Sequence, residues 1–113
     1  MQTIKSSCFT AEIDEHGAQL THLYHNEDHF DYIWNNPLWE KHAPILFPAI
    51  GRSNNDAYLI NGQQYEMPQH GFAGDQTFEV IEHKNDQVAL LLRSNEVTKQ
   101  YYPFNFEFTV TFK

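Results

Sequence analysis

The chain has 113 residues and a formal net charge of −8, and 41% of its residues are hydrophobic. This size fits one domain with a modest core, and the acidic balance argues against nucleic acid or an anionic membrane as partner. The single Cys8 cannot form an internal disulfide, and neither a secretory leader nor an apolar run of membrane-spanning length is present, so we predict a cytoplasmic protein without a membrane anchor.

The first third of the chain alternates short strand-like stretches with polar turns. We predict strands over 3–13, 18–24 and 30–34, with turns at 14–17 and 25–28 between them. Strands spaced this closely indicate an antiparallel meander, because parallel strands need long crossover connections. The nine Phe, six Tyr and two Trp of the composition also favour strands.

Histidines are concentrated in this same region, close to carboxylates. The histidines are His16, His22, His25 and His29, and the carboxylates are Glu27, Asp28 and Asp31. A helix would place three of these histidines on one face, but a strand-turn-strand pattern scatters them, and no cysteine ligand is nearby. We therefore expect solvated turn histidines, with no metal and no cofactor.

A short helical turn over 38–41 is predicted to lead into an apolar segment, 43–50. This segment should cross the interior, but Pro44 and Pro48 each remove a backbone donor. We therefore predict a buried, irregular crossing or an edge, and not a central strand. Gly51 and Arg52 follow directly after this segment.

The next feature is the strongest hairpin signal in the chain. Asn61-Gly62 separates 57–60 from 63–67, and this dipeptide favours the tight turn of a two-stranded hairpin. The hairpin is bracketed by Arg52 and by His70, each next to a glycine. We predict that these two side chains point into one concave surface.

The last third contains a second hairpin, a helical turn and a final strand. We predict strands over 77–84, 87–93 and 104–112, and a helical turn that is capped by Ser94 or Asn95 and ends by Tyr101. The final strand has a strict period of two, with apolar Phe104, Phe106, Phe108, Val110 and Phe112. Either this strand closes a small sandwich, or the chain naturally continues past Lys113. In the second case the exposed strand edge predicts self-association.

Three pieces together carry a resemblance to a known family. They are the segment 39–52 (WEKHAPILFPAIGR), the Asn-Gly hairpin and the segment 67–73 (MPQHGFA). In their order and spacing they resemble the aldose 1-epimerase (galactose mutarotase) family, and especially its bacterial galactose mutarotase-related branch. The resemblance implies an all-β, mainly antiparallel β-sandwich, a supersandwich more than twice this length, of which 1–113 would be the N-terminal portion.

The resemblance also implies an activity, the interconversion of the α and β anomers of free aldoses of the glucose or galactose type. A carboxylate base and a histidine acid open the sugar ring, and both are expected beyond Lys113. Arg52 and His70 match family residues that bind and orient the sugar, and an aromatic ring (Phe72, Trp34 or Trp39) would lie nearby. The 113-residue chain alone should then be inactive.

The chemistry of Arg52 and His70 suits this role without the family. Arginine offers a rigid fork of donors to hydroxyl groups, and histidine near neutral pH donates or accepts. Alternatively, Arg52 forms a surface ion pair and His70 caps a turn. Two other functions also remain open, a non-catalytic carbohydrate-binding sandwich and a phosphosugar 1-epimerase. The second would need more basic residues near Arg52. Gly51 and Gly74 depart from the family pattern, which leaves the preferred aldose undetermined.

Overall fold

The computed structural model describes residues 1–38 and 41–113, and the secondary structure in those residues is almost entirely antiparallel β-sheet. The strands are β1 (Gln2–Lys5), β2 (Phe9–Asp14), β3 (Gln19–His25), β4 (Ala57–Ile60), β5 (Gln63–Glu66), β6 (Glu79–Lys84), β7 (Gln87–Arg93) and β8 (Glu107–Phe112), and one α-helix is present, α1 (Glu96–Tyr101). The strands form three sheets, β1-β2-β3, β4-β5 and β6-β7-β8. The predicted all-β, antiparallel class is confirmed.

The predicted strand over 3–13 is divided into two strands, β1 and β2, because it is interrupted at Ser6. The Ser6 hydroxyl accepts hydrogen bonds from the N–H groups of Cys8 and Phe9, at 3.3 and 3.0 Å. The Ser6 N–H in turn donates to the Phe9 carbonyl. A serine that bonds to nearby backbone in this way favours a turn over a continuous strand.

The predicted strand over 30–34 is wrong. This segment makes only an isolated bridge, between Asp31 and Tyr24. The Asp31 carboxylate accepts from the N–H groups of Leu23 and Ile33, at 3.1 and 3.0 Å, and so takes donors that a strand would pair with carbonyls. The predicted helical turn over 38–41 falls largely on Trp39 and Glu40, which lie outside the described residues.

The segment 43–50 is irregular, as predicted, and its pairing is limited to isolated bridges at Ala43 and Phe47. Its predicted burial is only partial, because Ile50 is 83% exposed and none of the segment is fully buried, while Ile45, Phe47 and Ala49 pack against the core. On the inner side the Phe47 ring stacks on Phe108, with centroids 4.3 Å apart.

The Asn-Gly hairpin forms as predicted from β4 and β5. Asn61 and Gly62 both have positive φ, 49° and 80°, which is the conformation of the tight turn that suits twisted strands. The register pairs Ala57 with Glu66 and Ile60 with Gln63. The hairpin therefore has a fixed register next to the segment that carries Arg52.

The third sheet contains the longest run of buried residues. Its central strand, β7, is buried from Val88 to Leu92, since both of its faces are covered. The flanking β8 keeps the predicted period of two, with Phe108, Val110 and Phe112 half-buried against the core. It begins at Glu107 and not at Phe104. Just before it, the Phe106 N–H donates to the Ser94 hydroxyl, and the Phe106 carbonyl accepts from the Ser94 N–H.

The helix α1 begins at the predicted cap, Asn95. The Asn95 side chain accepts from the Thr98 N–H at 3.0 Å, and the Thr98 hydroxyl accepts from the Asn95 N–H at 2.9 Å. This reciprocal pair satisfies donors that the first turn leaves free. Among the helices that the structure describes, none combines the length and apolar character needed to cross a membrane.

Candidate functional site

The segment around Arg52 and the turn around His70 are joined by two hydrogen bonds. The Gly51 N–H donates to His70 Nδ1 at 2.9 Å, and the His70 N–H donates to the Gly51 carbonyl at 2.8 Å. His70 has a left-handed backbone with φ of 64°. That conformation is uncommon for a non-glycine residue, although histidine adopts it more readily than most side chains do. The two residues singled out from the sequence are therefore close neighbours.

The hydrogen bond at Nδ1 also fixes how the His70 ring is protonated. A neutral imidazole that accepts at Nδ1 carries its proton on Nε2. Within the described residues, Nε2 makes no hydrogen bond of its own. The ring therefore presents an N–H donor on the side away from Gly51.

Arg52 forms a two-point ion pair with Asp56. Its Nε donates to Asp56 Oδ1 at 2.7 Å, and its Nη2 donates to Oδ2 at 2.9 Å. The hydrogen bonds from Arg52 lower the pKa of the Asp56 carboxyl, so that it stays ionised near neutral pH. The ion pair that the sequence left open as an alternative thus exists, and it still leaves three guanidinium N–H groups for a ligand.

Arg52 and His70 line two neighbouring depressions. The first, of about 560 Å³, is lined by Arg52, Asn55, Asp56, Glu66, Met67, Pro68, Gln69 and Tyr101. The second, of about 550 Å³, is lined by Lys41, Pro44, Ile45, Leu46, Gln69, His70, Gly71, Gly74 and Asp75. Gln69 borders both. Arg52 and His70 therefore line different depressions that share Gln69, and not the one concave surface predicted from the sequence.

Two of the aromatic rings singled out from the sequence, those of Phe72 and Trp34, do not line these depressions. Phe72 is only 2% exposed and packs in the core against Phe47 and Tyr101, so its ring supports the His70 turn from below. Trp34 is exposed and lines neither depression, and Trp39 lies outside the described residues. The aromatic residue beside Arg52 is Tyr101, which sequence reasoning missed because its place depends on the docking of α1 against β5.

Asp56 and Gln69 were also missed. For Asp56 the sequence holds a signal, since it lies four residues after Arg52 and ends the turn-forming run Asn54-Asn55-Asp56. For Gln69 the only signal is its position next to His70.

The histidines near the first turns make local hydrogen bonds. His22 Nδ1 lies 2.7 Å from Asp31 Oδ2, and His25 Nδ1 lies 3.1 Å from Asp28 Oδ1. Burial alone would raise the pKa of Asp31, but the hydrogen bonds from His22, Ile33 and Leu23 lower it overall. In residues 1–38 and 41–113, no three such side chains are arranged to hold a metal ion.

Comparison with known proteins identifies the family. The model of the aldose 1-epimerase family matches residues 1–113, the whole of this sequence. The chain belongs to the aldose 1-epimerase family.

Similar structures support the same assignment. A galactose mutarotase-like protein from Lactobacillus casei superposes with a TM-score of 0.95 at 41% identity, covering 98% of this chain and 38% of that protein. A galactose mutarotase related enzyme from Lactobacillus acidophilus gives 0.95 at 39% identity, covering 97% of this chain and 37% of that enzyme. The resemblance to this branch and the galactose mutarotase-like fold are thereby confirmed.

A curated relative extends the comparison. The plasmid-encoded protein LacX of Lactococcus lactis is 27% identical over 116 aligned residues, which cover 96% of this chain and 38% of LacX. The chain therefore spans less than two fifths of the length of these relatives.

Proposed function

We propose that the protein containing this chain interconverts the α and β anomers of a free aldose by acid-base opening of the sugar ring. In this proposal the chain supplies the part of the site that orients the sugar. The supporting observation is the pair of hydrogen bonds between Gly51 and His70, which joins the Arg52 segment to the His70 turn beside two depressions that share Gln69. Membership of the aldose 1-epimerase family agrees with this role.

The residues have distinct roles in the proposal. Ring opening requires that one group take the proton of the anomeric hydroxyl while another gives a proton to the ring oxygen. Arg52 remains charged and so cannot act as a base, but its free N–H groups can hold hydroxyl oxygens. His70 donates from Nε2 to a sugar oxygen. The general base and the general acid lie, in this proposal, beyond Lys113.

Tyr101 is our candidate for contact with a face of the sugar. It lines the Arg52 depression, whereas Phe72 is buried beneath the His70 turn. Aromatic rings commonly pack against the apolar faces of ligands in such sites. We keep Phe72 as a residue that positions His70.

A second function, carbohydrate binding without catalysis, would use the same residues. Polarimetry on the full-length protein distinguishes the two, because an epimerase speeds the decay of optical rotation of fresh α-glucose or α-galactose beyond the buffer rate. The uncatalysed blank is essential, since water and buffer already interconvert anomers. Binding of sugar without a faster decay would favour the carbohydrate-binding module and contradict the epimerase.

A further inference from the structure

The depression next to Arg52 carries more negative than positive charge. Among its described lining residues Arg52 is the only cation, whereas two residues, Asp56 and Glu66, carry carboxylates. Sites that recognise phosphate usually present unpaired arginine or lysine groups. The charge of this depression is therefore unfavourable for an anionic ligand.

The guanidinium is also partly occupied. Asp56 takes Nε–H and one Nη2–H, which is one of the two edges through which arginine pairs with a carboxylate or a phosphate by two parallel hydrogen bonds. The three remaining N–H groups belong to the Arg52 guanidinium, whose positive charge the Asp56 carboxylate already balances. Such donors suit an uncharged hydroxyl oxygen better than a phosphate.

The backbone holds Asp56 in this position. Its N–H donates to the Ser53 carbonyl at 2.9 Å, and its carbonyl accepts from the Met67 N–H at 2.8 Å. Asn55 and Asp56 both have positive φ, 56° and 54°, a conformation that costs free energy for residues other than glycine. The second carboxylate, Glu66, is placed by its pairing with Ala57 in the hairpin.

We propose that Asp56, supported by Glu66, excludes anionic ligands from the Arg52 depression and thereby restricts the site to uncharged aldoses over phosphosugars. The restriction to aldoses rests on the proposed function. The exclusion of phosphate does not, because it follows from the lining charges and the occupied guanidinium edge.

The test measures ligand binding by the full-length protein and its Asp56→Asn variant. Asparagine tolerates positive φ, so the variant removes the charge with little backbone cost. We expect the variant to bind inorganic phosphate and glucose 6-phosphate about tenfold more tightly than the wild type in calorimetric titrations at low ionic strength. Glu107→Gln is the matched control, since it removes the carboxylate beside Arg93, another exposed arginine, and should leave both affinities unchanged.

Two results would overturn the inference. One is a wild-type protein that binds glucose 6-phosphate more tightly than glucose, and the other is no gain in phosphate affinity on Asp56→Asn. If the Asp56→Asn variant does not fold, Glu66→Gln is tested in its place. If Glu66→Gln then shows no gain in phosphate affinity, the inference is likewise overturned. A phosphate gain in a protein that binds no glucose would support the exclusion and separately refute the proposed function.

Discussion

At the scale of single residues, Gly71 is the glycine that leaves the least room for a side chain. Its φ is 77°, and a Cβ placed there would overlap the backbone of Phe47 and Pro48. Because that backbone cannot move aside without disturbing the His70 turn, Gly71→Ala should cost about 3 kcal/mol or more in the free energy of unfolding.

The matched control is Gly62→Ala. Gly62 has a similar φ of 80°, but a Cβ there meets nothing within 4 Å. It should cost only about 1 kcal/mol, the conformational penalty alone. Urea unfolding of the full-length variants measures both costs, and equal values would show that close approach to Phe47 is not what requires glycine.

Glu15 should make the stability of the folded chain depend on pH. Its pKa falls from 4.5 to about 2, chiefly through the hydrogen bond from the Gln2 side chain and also through that from the Met1 ammonium. Because the folded pKa is the lower one, this stabilisation is complete above pH 4.5 and is lost as the pH falls towards 2.

Because both partners are partly exposed, Glu15→Gln should remove only about 1 kcal/mol of stability at pH 6. The loss should be much smaller near pH 2, where Glu15 becomes protonated in the wild type. Unfolding free energies across this pH range measure the difference. Glu27→Gln, in an exposed turn, is the control. A loss that does not shrink as the pH falls would contradict the role of the ionised Glu15.

The sequence singled out Arg52 and His70 as candidate site residues through their place beside the hairpin and through family resemblance. It did not reveal the Asp56 pair, because a side chain four residues away reaches Arg52 only when the intervening chain turns. Here the turn depends on positive φ at Asn55 and Asp56. Sequence alone does not fix such strained conformations.

At the scale of elements, the helix α1 depends on its cap. Asn95→Ala removes the acceptor for the Thr98 N–H and should cost about 1 kcal/mol, whereas Asn95→Asp should retain most of the stability. Asn105→Ala, at an exposed position, is the matched control. Thermal unfolding measures all three, and equal stability of the alanine and aspartate variants would mean that the cap contributes nothing.

Elements with local signals were predictable and those decided by side-chain hydrogen bonds were not. Asn61-Gly62 specifies its own turn, and the alternation of β8 specifies its faces. By contrast, Ser6 breaks a strand and Asp31 prevents one, since each side chain bonds to nearby backbone. Serine and aspartate have that ability everywhere, but tertiary context decides where they use it.

At the scale of the whole molecule, the chain is thin and extended. It measures 55 × 31 × 16 Å with a radius of gyration of 16.2 Å, whereas a compact chain of this length would have about 13 Å. Its accessible surface of 7497 Å² also exceeds the roughly 6,500 Å² expected for this mass. Large apolar side chains such as Ile50 and Leu59 remain exposed.

We therefore expect residues 1–113 alone to self-associate, because exposed apolar surface and strand edges favour pairing between copies. Sedimentation velocity at several concentrations measures this, with the full-length protein as the comparison. A monomeric fragment at all concentrations, with no affinity for a hydrophobic dye, would contradict the expectation.

The central claim is that Arg52 and His70 orient a sugar for epimerisation, and polarimetry on full-length variants tests it most directly. Arg52→Met and His70→Asn should each lower kcat/KM by about 100-fold while thermal stability stays near that of the wild type. Arg93→Met and His29→Asn are the controls, since Arg93 is similarly exposed and His29 shares the positive φ of His70. The account predicts loss of activity only in the first pair, and equal activity in all four variants would contradict it.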